Sequence, residues 1–422
     1  MEESHRYYER AYRLLNQIES PSAEEQAMLI DLIIKWYFAF NKQGLFREML
    51  DLLRSHEAAV KAFGDPLRTG MYEVCMGWAL QRRELVTESY GYLSRALETG
   101  WRLGDDALIA YSSACLCWTC TDLGRMGEAL DFGCQAAKVG DRIKTDHELI
   151  RFNLTGMGLL HFYSGNLPAC WEIGERLLAF GDEAGDVRTF SEGYLLMGSA
   201  RMASGDFVQA EFFLKKAIEV AVEPIYGINA RFFLSYAYFS QGKVSLAARA
   251  LETVIAATEK FGYEFVGTSA NAFYGIVSAS MGNLENGITL IREQIRKHRQ
   301  RGKRNHDLIF THMLGKFYLS LVRQKGRMDF RSALKNARFL LRTLPSASRL
   351  AEQYLREAID IGTQIDARIR LAQAHLDLGL LYRHKKRISD ARFHIDRSIN
   401  LFDHCGADIL LAEAITALET LD

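Results

Sequence analysis

Three cysteines, Cys115, Cys117 and Cys120, fall close enough together for thiolate ligation of a metal, and Cys117 and Cys120 share one helical face. A tetrahedral site needs a fourth ligand, and the spacing supplies none. Histidines that could act as bases, His161 and His375, stand alone, without a Ser/His/Asp grouping or an H-E-x-x-H pattern around them. The run "QGKVS" at Gln241 to Ser245 lacks the upstream glycine of a phosphate-cradling loop. Catalysis needs a positioned acid, base or nucleophile. The expectation is therefore a protein that is not an enzyme and that uses no cofactor and no metal, with its cysteines serving as small core residues.

Charge is the second chemical signal. The chain of 422 residues has a formal net charge of zero, yet between Ile291 and Arg349 sixteen Lys and Arg stand against Glu293, Asp307 and Asp329. The candidate basic patch is Arg296, Lys297, Arg299, Arg301, Lys303 and Arg304, continued by Arg331, Lys335, Arg338 and Arg342. Such a footprint attracts nucleic acid, phosphate ligands or acidic protein. No nucleic-acid motif accompanies it, so internal docking onto the acidic remainder is the preferred reading and a nucleic-acid- or anion-binding regulator the alternative. The start, Met1 to Arg10, is polar, and no uninterrupted apolar run reaches membrane length. The seven cysteines are odd in number and mostly in apolar helical context, which fits reduced thiols. A cytoplasmic protein with no membrane partner is expected.

The elements that must carry these residues follow from a repeat. Gly124, Gly165, Gly205, Gly242 and Gly282 recur at intervals of 37 to 41 residues, together with Gly44, and Gly64, Gly104, Gly140, Gly185, Gly262 and Gly302 interleave as a second series. A period in this range marks a stacked-repeat array. Only five prolines occur, and the apolar residues, 48% of the chain, fall at helical spacing. In the clearest unit, Val187 to Val220, Gly198 and Ala210 are small where two helices cross, while Gly205 and Asp206 end one helix and open the next. The pairs Gly64-Asp65, Gly104-Asp105, Gly140-Asp141 and Gly185-Asp186 read as joints between units. The fold class is an all-α, TPR-like α-solenoid: a right-handed superhelix of about nine helical hairpins with a closing helix over Ala407 to Leu421.

The order Tyr194, Met197, Gly198, Gly205, Asp206, Ala210, Leu214, Ala217 resembles a tetratricopeptide repeat, and Leu378, Gly379, Tyr382, Ala391, Ile395 and Ser398 repeat it near the C-terminus. The stretch from "ARFLLRTLPSASRLAEQYLREAIDIG" to "LLAEAITALETL" is similar to the C-terminal tetratricopeptide region of bacterial multidomain signalling proteins that join a class III nucleotide cyclase to an ATPase. "YYERAYRLLNQI" and "YLSRALETGWRLGD" are similar to earlier parts of that region. The resemblance implies a non-catalytic regulatory scaffold that binds a protein or peptide, with cyclase or ATPase domains of the same system as possible partners. Nothing in the chain matches the cyclase or the ATPase itself.

One elongated unit spans 1–422: an N-terminal helix in 1–22, seven repeats in 23–304, an eighth in 305–364 with an inserted basic helix at 324–348, and the last repeat with the closing helix in 365–422. In the insertion Phe330, Ala333, Leu334, Ala337, Leu340, Leu341 and Leu344 share one helical face. First helices line the concave side of such arrays, which gives a candidate groove of Tyr111, Trp118, Thr121, Phe152, Leu159, Phe162, Glu192, Ser199, Met202, Asn229, Phe232, Tyr236 and Phe239. An aromatic stripe offers large contact area at low entropic cost to a peptide or partner helix. Tight superhelical winding would instead pack the same rings against the next unit, and both arrangements remain open at this stage.

Overall fold

The computed structural model describes residues 2–143, 146–323 and 334–421. Helix α1 (Glu2–Asn16) leads into nine antiparallel hairpins among the described residues. These are α2–α3 (Ala23–Gln43, Phe46–Phe63), α4–α5 (Pro66–Arg82, Val86–Leu103), α6–α7 (Asp106–Leu123, Met126–Gly140), α8–α9 (His147–Ser164, Leu167–Ala184) and α10–α11 (Arg188–Ser204, Phe207–Glu219). There follow α12–α13 (Pro224–Ser240, Val244–Phe261), α14–α15 (Glu264–Ser280, Leu284–Gln300), α16–α17 (Arg304–Arg323, Ala337–Gln364) and α18–α19 (Arg368–His384, Ile388–Cys405), and α20 (Asp408–Glu419) closes the array. Among the described residues every element is helical, and no helix is long and apolar enough to cross a membrane.

Local sequence explains where helices start and stop. Asp65, Asp105 and Asp206 accept the backbone N–H groups of Arg68, Leu108 and Gln209 at 2.9, 2.7 and 3.1 Å, satisfying amides that an opening helix leaves free. Gly140-Asp141 departs from the expected joint. Gly140 is still helical, Asp141 is its right-handed C-cap, and the capping role passes to Asp146, which accepts from Leu149 N at 3.1 Å.

First and second helices differ in how much they bury. Helices α6 and α14 are buried on nearly all sides, whereas second helices such as α5 and α15 bury one face and leave the other in water. The two helices of a hairpin meet at small residues. A Cβ on Gly198 would lie 2.7 Å from Leu214, and one on Gly379 2.6 Å from Ile395, so only glycine admits the partner helix at this distance.

Hairpins also meet across the winding. The first helices α2, α4, α6, α8 and α10 touch α12, α14, α16, α18 and α20 respectively. Each contact joins a hairpin to the element five repeat steps later, so five hairpins complete one turn and the second turn stacks on the first. The hairpin glycines permit this closeness: Gly124 (φ 74°) would place a Cβ 2.6 Å from Ile365, and Gly165 (φ 88°) one 2.9 Å from the backbone nitrogen of Ile369. A left-handed turn and a close neighbour both demand glycine there.

Of the expected insertion, Leu334 and Lys335 are helical and Asn336 forms a turn before the next helix. Residues 337–364 form the single helix α17, with Pro345 inside it. Leu340, Leu344, Ala347, Ala351, Leu355 and Ala358 keep one helical phase across the proline, so the buried face is continuous. Phe330, Arg331 and Ala333 lie outside the described residues.

Candidate functional site: the inner face of the superhelix

The inner face is built from first helices and divides into three regions. In the first turn Trp118 and Phe152 stack at 5.6 Å, and Trp78 meets them edge-on at 5.5 and 4.6 Å. The guanidinium of Arg82 lies 3.8 Å over Trp78, faces Tyr263 and Phe265 of the second turn, and donates to the Tyr263 hydroxyl at 3.2 Å. A cation held between aromatic faces of both turns is a contact between turns rather than an open surface. Tyr111 donates to Asp146 at 2.9 Å, and Asn229 accepts from Tyr263 at 3.1 Å.

The second region is ionic. Glu192 and Arg151 pair at 2.7 Å, both buried, and Arg151 also donates to the Tyr226 hydroxyl at 2.8 Å and contacts Glu148. Arg188 completes the group by pairing with Asp186 at 2.7 Å. Glu223 sits beside it, 4% exposed with Oε2 lacking a partner, and burial pushes its carboxyl up to about 7 against the pull of Arg151.

The third region is apolar. Phe162, Met202, Phe232 and Tyr236 converge with Phe273, Phe310 and Met313 around a cavity of about 40 Å³, with Arg370 at its wall. Arg370 donates to the Tyr236 hydroxyl at 3.2 Å. Phe239 closes the side of this group, edge-on to Phe273 at 5.5 Å. Beside it, buried His312 contacts Asp377 at 2.8 Å, and Lys316 projects from the same turn of α16.

The sequence stripe is thus divided. Phe162, Met202, Phe232 and Tyr236 share one cavity, Trp118 and Phe152 belong to a packed aromatic group, and Glu192 is spent on Arg151. Trp78, Arg82, Phe273, Phe310, Met313 and Arg370 were not read from sequence. Groove residues were named only on α6, α8, α10 and α12, although Trp78, Phe273 and Phe310 occupy the same inward face of their helices.

The basic residues also divide. Lys303 is fully buried and pairs with buried Glu84 at 2.7 Å, and Arg301 contacts Glu84 and lies 3.3 Å from Glu264. Arg299 pairs with Asp307 at 2.9 Å and Glu357 at 2.7 Å, Lys297 with Glu293 at 2.9 Å, and Arg304 with Gln364. Lys335 donates to Asn283 at 2.7 Å, whereas Arg296, Arg338 and Arg342 point to solvent. Arg331 lies outside the described residues.

The three neighbouring cysteines fall into two packing groups: Cys115 faces the main core, while Cys117 and Cys120 pack with Met126, Ala129 and Leu160. Burial pushes the thiols of Cys115 and Cys120 up to about 12, which disfavours the thiolate a metal needs. His375 contacts His394 at 2.8 Å, and burial pushes it down to about 4. Among the described residues no group of three or more His, Cys, Asp or Glu side chains could hold a metal ion.

No protein-family model and no curated protein matches the chain. Among solved structures it is similar to a Rap protein complexed with competence and sporulation factor, with a TM-score of 0.53 at 15% identity over 88% of this chain and 100% of that one. The apo form of the quorum sensor NprR from B. thuringiensis aligns with a TM-score of 0.45 at 12% identity, over 93% of each chain. The Rap similarity, with the hairpin order above, makes the fold that of a TPR-like helical solenoid.

Proposed function

We propose that this chain is a non-catalytic interaction scaffold that binds a protein or peptide segment along the inner face of its superhelix. One observation carries the reading: side chains from α8, α10, α12, α14 and α16 converge on an apolar cavity that has a single cation, Arg370, at its wall. An aromatic pocket with one oriented polar group anchors an apolar side chain and fixes the direction of the chain bearing it. The similar Rap protein was solved in complex with a factor, which supports a binding role for the shared fold.

Ligand entry competes with the contacts between turns, so binding shifts the equilibrium between tighter and looser winding. That coupling suits a regulatory region, and the sequence similarity to tetratricopeptide tails supports a cyclase or ATPase of the same signalling system as the regulated enzyme, in the cytoplasm. The nucleic-acid alternative is less favoured, because Arg299, Arg301 and Lys303 are already paired with carboxylates.

The test compares wild type with Phe232→Ala and Arg370→Ala in crosslinking capture from an extract of the source cells. A specific partner captured by wild type should be lost by at least about tenfold in both variants, each shown folded by circular dichroism. Equal capture by both folded variants would remove the cavity from consideration.

A further inference from the structure

Helix α17 carries a second surface, distinct from the inner face. Along its N-terminal half Arg338, Leu341, Arg342, Pro345 and Arg349 are all exposed, and the helical repeat places them on one face spanning about 16 Å. Leu341 is 78% exposed, more than any other large apolar side chain among the described residues. Among the described residues Arg338, Arg342 and Arg349 have no acidic partner, while the next acid on this face, Glu352, is occupied by Arg356 and Lys385.

Unlike the arginines of the preceding hairpin, these are not used by the fold. Charge therefore calls for an anionic partner, and Leu341 at the centre says which kind. Nucleic-acid backbone gives an isolated leucine nothing apolar to meet. Insertion into a membrane needs a whole apolar helical face, and that of α17 is turned inward, with Leu340 and Leu344 packed on the core. A protein helix bearing carboxylates beside an apolar residue satisfies both demands, since arginine binds carboxylate bidentately and in defined orientation.

We propose that the exposed face of α17 docks an acidic amphipathic helix of a partner protein, with its carboxylates on Arg338, Arg342 and Arg349 and an apolar side chain on Leu341. The test uses the full chain and a fluorescein-labelled helical peptide whose glutamates are spaced four and seven residues apart around a leucine. Anisotropy at low ionic strength should show binding that weakens at least about tenfold for the folded triple variant Arg338→Glu, Arg342→Glu, Arg349→Glu, and also for Leu341→Asp. A peptide with lysine in place of each glutamate should bind the triple variant and not wild type. The proposal is overturned if the glutamate peptide does not bind, if the variants bind it equally, or if phosphatidylserine vesicles or duplex DNA bind this face more tightly than the peptide.

Discussion

At the scale of single residues, the unusual ones sit where the two turns meet. Glu84 follows the end of α4, where the neighbouring first helices α2, α6, α8 and α10 are followed by a left-handed glycine, and its own φ of 59° is left-handed. A non-glycine residue there costs about 1–2 kcal/mol. The return is a carboxylate delivered into the seam, taking Lys303 and Thr268 each at 2.7 Å. Burial works against its charge, yet Lys303 and His298 hold the carboxyl below its ordinary range.

Glu223 is the converse, a buried carboxyl with an unpartnered oxygen and a value raised to about 7 from 4.5. The sign follows from proton linkage. The folded state holds this proton more tightly than the unfolded chain, so the contribution favours folding at low pH and is lost as pH rises from about 4.5 through about 7. Glu223→Gln should therefore raise stability at pH 8 by up to about 3 kcal/mol and leave it nearly unchanged at pH 4. Urea unfolding at the two pH values reads this, and an equal effect at both would refute it.

At the scale of elements, the helix pairs are fixed by backbone proximity as much as by apolar area. In the α14–α15 hairpin a Cβ on Gly275 would lie 2.8 Å from the Gly287 carbonyl oxygen, and one on Gly287 2.5 Å from that of Gly275. Neither carbonyl can move without breaking its helix. Gly275→Ala should destabilise by about 1–3 kcal/mol, whereas Gly227→Ala in α12, where a Cβ meets only Ala221 at 3.8 Å, should stabilise by up to about 1 kcal/mol through helix propensity. Thermal melts of the two variants give the contrast, and shifts of the same sign would undo the packing account.

This scale was the most legible in sequence, because pairing depends on local signals such as Gly198, Asp206 and Ala210. It failed where local and longer-range demands diverged. Gly140-Asp141 has the joint's residues without its geometry. Arg370 and Phe310 were invisible as partners of Phe162, because nothing local records which residues the winding brings together.

At the scale of the molecule, the winding decides what the charges and aromatic rings do. Basic residues crowded between Ile291 and Arg349 in sequence are distributed in space: Arg301 and Lys303 meet Glu84 of the first turn, and Arg299 meets Glu357 of α17. The seam adds Arg83 to Glu264 at 2.9 Å and Asn305 to the Thr121 carbonyl.

Each hairpin keeps its neighbours in sequence whether or not the turns touch, so the seam can open without unfolding the repeats. Glu84→Lys places a third cation beside Lys303 and Arg301 in a buried site, where like charges repel strongly. Small-angle scattering of this variant should show a larger radius of gyration with far-UV helicity retained, while wild type keeps its dimensions in high salt, because buried pairs are weakly screened. A variant as compact as wild type would mean that the turns are held by apolar contacts such as Gly124 against Ile365. An expanded and still helical variant would identify Glu84 as the clasp that ligand entry has to work against.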